Sequence, residues 1–221
     1  MPDNKLKQFF IFLVEIFFPS YCVGCNTNGR ILCDFCISNI RRTTRPTSHK
    51  ILTAFDYRDP VIKRAIWRMK YKRYSHMGII LGEILYETLL EDIADITCLS
   101  SQKTIIIPVP ISRQKARARG YNQAEMIAKG FVKKGEKEQF ELNTDIVLKI
   151  KDTLPQARIT LRNARLANIK DAFILEKEHI LRGRTVFIID DVTTTGSTLQ
   201  EIMKLCKTAG AKRVYGFAIA H

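Results

Sequence analysis

The sequence predicts an α/β fold: a parallel sheet flanked by helices, with a small metal-held knuckle ahead of it. Three stretches carry that expectation. VFIIDDVTTTGST, from Val186 to Thr198, reads as strand, turn and helix start. KTIIIPVP followed by SRQKARARGYNQ reads as a buried strand running into a cationic loop. Near the N-terminus, Cys22, Cys25, Cys33 and Cys36 fall in a C-x2-C-x7-C-x2-C spacing.

In the first stretch an apolar Val- and Ile-rich run suits a buried parallel strand, and TLQEIMKLCKTAG has helical spacing and ends on Gly210. The turn between them offers helix N-terminal N–H groups and the hydroxyls of Thr193, Thr194, Thr195, Ser197 and Thr198 around Gly196, a seat for phosphate. Asp190 and Asp191 would repel a phosphate they faced. They suit sugar hydroxyls or a nearby magnesium ion instead. A 5-phosphorylated ribose satisfies both halves. The pattern resembles the ribose-phosphate signature of type I phosphoribosyltransferases.

Two prolines, Pro108 and Pro110, end the second strand, because neither continues a sheet ladder. A loop dense in Arg and Lys bends at Gly120, and AEMIAKGFVKK resumes as a helix. Ahead of this strand, PVIKRAIWRMKYKRYSHMGIILGEILYETLLEDIADI reads as two helices split between Tyr74 and Met77. Trp67, Tyr71, Tyr74 and Tyr121 are interleaved with basic residues, as single-strand stacking would use, but Trp67, spaced helically from Lys63 and Tyr71, is expected to pack inward.

The cysteine spacing allows two tight turns to set four thiolates around one zinc ion, which fills the coordination sphere and makes the site structural. A redox pair is the rival reading; two CxxC pairs this close favour metal. The expected organisation is an apolar N-terminal helix and knuckle over 1–40, a basic linker over 41–50 and an α/β body over 51–221. The N-terminal FFIFLVEIFF is interrupted by Glu15, lacks a small-residue cleavage site after it and is too short to span a bilayer. We expect no stable membrane insertion, and the unpaired cysteine usage points to the cytoplasm.

The net charge of +14 is uneven. Arg41 to Tyr74 holds eleven Lys/Arg against two Asp, Ser112 to Lys137 eight against two acidic residues, and Lys149 to Lys170 six against one. Polyanionic ligands are the expected partners.

PVPISRQKARARGYNQAEMIAKG, with MKYKR upstream and Thr153, Gln156, Leu161, Arg165, Asn168, Ala172 and Phe173 downstream, resembles the ComF family of bacterial competence-associated proteins. That family joins a four-cysteine zinc knuckle to a type I phosphoribosyltransferase-like domain. The resemblance implies that Asp190 and Asp191 bind ribose, with any chemistry centred on them, and that Thr193 to Thr198 bind the 5-phosphate. It also makes Pro108 to Gln123 the pyrophosphate loop, with Arg117, Arg119, Gly120, Tyr121, Asn122 and Gln123 at its tip. Asp152 to Asn168, following a strand ELNTDIVLKI, would be a flap closing through Gln156, Arg158, Arg162 and Arg165. The implied ligand is phosphoribosyl pyrophosphate with Mg2+. The implied role is natural transformation, with single-stranded DNA and a competence helicase or DNA-processing protein as partners. A salvage transferase without a DNA role and a non-catalytic adaptor remain open alternatives.

Overall fold

Two short runs of consecutive apolar residues, in TIIIP and TVFIIDDV, form the centre of the molecule: strands β2 (Thr104–Pro108) and β6 (Thr185–Val192). The computed structural model describes residues 20–43, 50–71, 74–98, 100, 102–135, 138–150 and 172–221. Every residue of β2 and the first five of β6 are buried, as strands covered on both faces require. With β1 (Ile51–Phe55), β3 (Phe140–Leu142) and β7 (Arg213–Ala220) they form a wholly parallel sheet in the order β1-β7-β6-β2-β3.

Alternate side chains feed two cores. Ile106, Phe187, Ile189 and Phe217 point into one, while Ile105, Ile107, Ile188 and Val214 point into the other. The first core packs helices α2 (Pro60–Tyr71), α3 (Ser75–Thr88), α4 (Leu90–Thr97) and α6 (Gln123–Lys134) against the sheet, centred on Phe131, Phe140, Phe187 and Phe217. The second packs helix α7 (Ser197–Thr208). Helices α3 and α6 meet backbone to backbone: a Cβ on Gly82 would lie 2.0 Å from the Ile127 carbonyl oxygen, and one on Gly130 2.0 Å from that of Ile79. Only glycine allows that approach.

The knuckle, closed by the short helix α1 (Asp34–Ser38), adds Cys22, Val23, Leu32, Cys36 and Ile40 to the first core. The Arg64 guanidinium on α2 donates to the Gly24 carbonyl at 3.1 Å, tying the knuckle to that helix. Among the described residues no helix is long and apolar enough to cross a membrane. The N-terminal apolar run and 44–49 of the linker lie outside the described residues.

Four expectations need correction. The segment between β1 and β2 forms three helices, because α3 ends at Leu89, whose N–H returns to the Leu85 carbonyl, and α4 begins there. The cationic loop is itself helical over α5 (Arg113–Arg119): Ser112 accepts the Lys115 N–H at its start, and Gly120 closes it at φ 84°. ELNTDIVLKI is two strands, since a turn in which Asn143 accepts the Asp145 N–H separates β3 from β4 (Val147–Lys149). β4 leaves the main sheet and pairs antiparallel with β5 (Phe173–Leu175). Finally, Trp67 is 50 % exposed, because the buried face of α2 is Ile62, Ala65, Ile66 and Met69 and leaves residue 67 on the opposite side.

Candidate functional site

The C-terminal ends of β2 and β6 converge, the position where parallel α/β sheets receive ligands. β6 ends on Asp190, Asp191 and Val192, and the chain then turns into α7. The turn is held from the neighbouring strand, with the Thr193 N–H donating to the Ala220 carbonyl at 3.0 Å. Thr195 and Ser197 share a hydroxyl hydrogen bond of 2.8 Å, and Gly196 takes the left-handed φ of 74° that starts the helix. Thr193 and Ser197 are buried, while Thr194 is exposed. The first-turn N–H groups of α7 have no intrahelical acceptors, so this turn presents donors to an anion.

The two aspartates differ in their surroundings. Asp191 Oδ2 meets Lys70 Nζ at 2.8 Å, both side chains being largely buried. Among the described residues no cation is ion-paired with Asp190; burial, then the charge of Asp191, push its carboxyl up to about 7. Burial works to lower Lys70, but the charge and hydrogen bond of Asp191, with Asp190 behind it, hold the ammonium above its ordinary range. Lys70 was not among the expected site residues, although it lies within MKYKR; that motif was the available signal. Lys149, at the end of β4, also favours the ionised form of Asp190, and no local pattern marks it.

The loop after β2 reaches the same place. Asn122 caps α6 by accepting the Ala124 N–H and donates through Nδ2 to the Val109 carbonyl, fixing the bend. The buried Gln123 accepts from Arg119 Nη1 at 2.7 Å, and the Tyr121 hydroxyl donates to the Met69 carbonyl on α2. Arg119 lies over the Tyr71 ring at 5.9 Å and close enough to Lys70 to disfavour its charge. Of the two arginines expected to serve this loop, Arg119 is brought to the aspartates' side; Arg117 is exposed. Gln156, Arg158, Arg162 and Arg165 lie outside the described residues.

Beside the turn a cavity of ≈ 480 Å³ is lined by Arg41, Tyr57, Arg58, Thr194 and His221 among others. Another of ≈ 580 Å³ lies at the opposite end of the sheet, against Lys103 and Thr104 at the start of β2, where parallel strands do not present ligands.

The cysteine cluster is a separate centre. Its four sulfurs lie within 4.8 Å of one another, and the Cys22–Cys33 and Cys25–Cys33 pairs are 3.6 Å apart. Four sulfurs about 2.3 Å from one zinc ion would be about 3.8 Å apart, so the arrangement fits a tetrahedral site. The Gly24 and Cys33 N–H groups donate to Cys22 Sγ at 3.3 and 3.4 Å. Burial works to raise Cys22, but the backbone donors of Cys25, Cys33 and Gly24 bring it down to about 6. Cys36 is pushed up to about 12 by burial and by the other sulfurs. Four thiolates so close repel one another, and a dication lets all of them ionise.

Residues 125–220 match the phosphoribosyl transferase domain. The parallel sheet and this match give the chain a phosphoribosyl transferase domain, preceded by four cysteines placed so that they could hold a metal ion. Over most of its length the chain is a homologue of the ComF-type proteins its sequence resembles. It is 28 % identical to competence protein F of Haemophilus influenzae over 204 residues, 92 % of this chain and 85 % of the relative. It is also 28 % identical to the DNA utilization protein YhgH of Escherichia coli (strain K12), over 87 % of this chain and 80 % of that one. The competence protein ComFC of Bacillus subtilis matches at 27 % over 95 residues, 43 % of this chain and 35 % of the relative. A solved structure titled as the allosteric regulatory enzyme of purine biosynthesis aligns with 66 % of this chain and 25 % of that one, at 16 % identity and a TM-score of 0.38, too loosely to argue from.

Proposed function

We propose that the chain binds phosphoribosyl pyrophosphate at the strand ends of β2 and β6 and acts in the cytoplasm in DNA uptake and natural transformation, contacting single-stranded DNA. The observation that carries the ligand is the pairing of recessed aspartates with a hydroxyl-rich helix N-terminus, faced by Lys70 and Arg119. The names of the relatives, competence protein F and DNA utilization protein, support the process.

In this reading Asp190 and Asp191 accept hydrogen bonds from the ribose hydroxyls, and the turn from Thr193 to Thr198 holds the 5-phosphate. Arg119 and the backbone of 119–123 face the pyrophosphate, and Gln156, Arg158, Arg162 and Arg165 close over it. Mg2+ would enter with the pyrophosphate and supply charge neutralisation to it. Lys70 neutralises Asp191 in the empty site and gives way to the ribose hydroxyls and the metal when ligand enters. The cysteine cluster takes zinc in a structural role. A competence helicase or DNA-processing protein is the proposed protein partner.

A thermal-shift series tests the ligand. Phosphoribosyl pyrophosphate with Mg2+ is expected to raise the melting temperature more than ribose 5-phosphate or pyrophosphate alone, because only the whole ligand engages both loops. No shift with the whole ligand would overturn the reading.

A further inference from the structure

Helix α2 exposes an aromatic pair, Trp67 and Tyr71. Its buried side is used by Ile62, Ala65, Ile66 and Met69. The opposite stripe, at helical spacing, is Lys63, Trp67 and Tyr71, with Arg68 along its border and Lys70 turned to Asp191. Trp67 is 50 % and Tyr71 64 % exposed, although large rings gain most from leaving water. Their centroids lie 5.9 Å apart with planes tilted by 43°.

The pair stands at the lip of the phosphoribosyl site. Lys70, between the two rings in sequence, reaches Asp191, and the next carbonyl back, that of Met69, receives the Tyr121 hydroxyl. Arg119 covers the Tyr71 ring from the pyrophosphate-loop side. Neither ring is needed by a pyrophosphate or a ribose. The charges nearby say what fits: Arg119 lies over the Tyr71 ring, and Lys63 and Arg68 share the helix with both rings. Exposed rings interleaved with cations suit a ligand that alternates flat bases with phosphates, and in a duplex the bases are stacked away from such rings.

Resting on the DNA-contact reading above, we propose that Trp67 and Tyr71 form a stacking platform for bases of single-stranded DNA. The strand's phosphates run along Lys63 and Arg68, and a base is thereby held beside the mouth of the phosphoribosyl site.

Trp67 is the chain's one tryptophan, so it reports directly. The full zinc-loaded protein is titrated with a short oligothymidylate, with an abasic strand of equal phosphate number and with a duplex, following indole fluorescence and anisotropy of a labelled strand. Oligothymidylate is expected to quench the indole, and the abasic strand to bind about tenfold or more weakly without quenching. Trp67→Ala with Tyr71→Ala should weaken oligothymidylate binding about tenfold or more while leaving the salt slope unchanged, since the phosphates stay neutralised. Trp67→Phe with Tyr71→Phe should recover most of the affinity. Oligothymidylate that binds as tightly to the double alanine variant, or an abasic strand or duplex that binds wild type equally well, overturns the platform and leaves the DNA reading standing. Absence of any single-strand binding overturns both.

Discussion

The cysteine knuckle and the aspartate turn are both short, polar and written in contiguous sequence, yet they are held by opposite means. Each wall of the turn is already an element of the fold: β6 before it, α7 after it, and Ala220 of β7 bonded to Thr193. The knuckle has one five-residue helix and an isolated bridge, Tyr21 to Asn28, and its sulfurs hold each other apart in charge. On the proposed reading the shape of the knuckle depends on a bound ion, whereas the turn is formed by the fold itself.

The sharpest way to break that contrast is to take the metal away. Cys22→Ser, or strong chelation, is expected to remove about one zinc per chain by elemental analysis and to cost about 3 kcal/mol or more of stability, because the knuckle shares a core with α2 and α3. A metal-free preparation with an unchanged melting curve would end the argument for the knuckle. Next in size is the turn itself: Asp190→Asn with Asp191→Asn is expected to weaken phosphoribosyl pyrophosphate binding about a hundredfold, through loss of charged acceptors, with the circular dichroism spectrum intact.

A smaller effect separates binding from stability within the same turn. Asp190 titrates near 7 in the fold against an ordinary 3.8, so its stabilising neutral form is lost as pH rises through that window. Asp190→Asn alone is therefore expected to stabilise the empty protein by about 1 kcal/mol above pH 7, with the gain vanishing below about pH 4. Denaturant midpoints that differ equally at all pH values would show that burial and Asp191 do not set this carboxyl's titration.

The smallest effect concerns the basic face of α2. Lys63→Glu with Arg68→Glu is expected to reduce the log-log salt slope of single-strand binding by roughly 0.7 for each phosphate left without its cation, with phosphoribosyl pyrophosphate affinity nearly unchanged. Arg64 is kept, because it donates to Gly24 and its reversal would disturb the knuckle as well.

What the sequence made legible follows the same division. The strand, turn and helix from Val186 to Gly210 could be read because apolar run, hydroxyl cluster and glycine sit side by side, and the structure forms each element. The cysteines likewise converge as their spacing requires. Local signals for α5 were present in Ser112 and Gly120, but the Arg-rich composition read as loop. Trp67 was misplaced because its apolar ring outweighed a periodicity that already ran through Ile62, Ala65, Ile66 and Met69. The break at Leu89 has no glycine or proline to announce it and arises where α3 and α4 part company over the core. Lys70 meets Asp191 only through the fold, with MKYKR as its one signal in sequence, and no local pattern marks Lys149, whose charge acts on Asp190.

Calorimetric titration of the full chain with phosphoribosyl pyrophosphate and Mg2+, run beside Asp190→Asn with Asp191→Asn, tests the central claim most directly. The account predicts saturable binding at about one ligand per chain in the wild type, and affinity reduced about a hundredfold in the variant. No saturable heat in the wild type, or equal affinity in the two proteins, would contradict it.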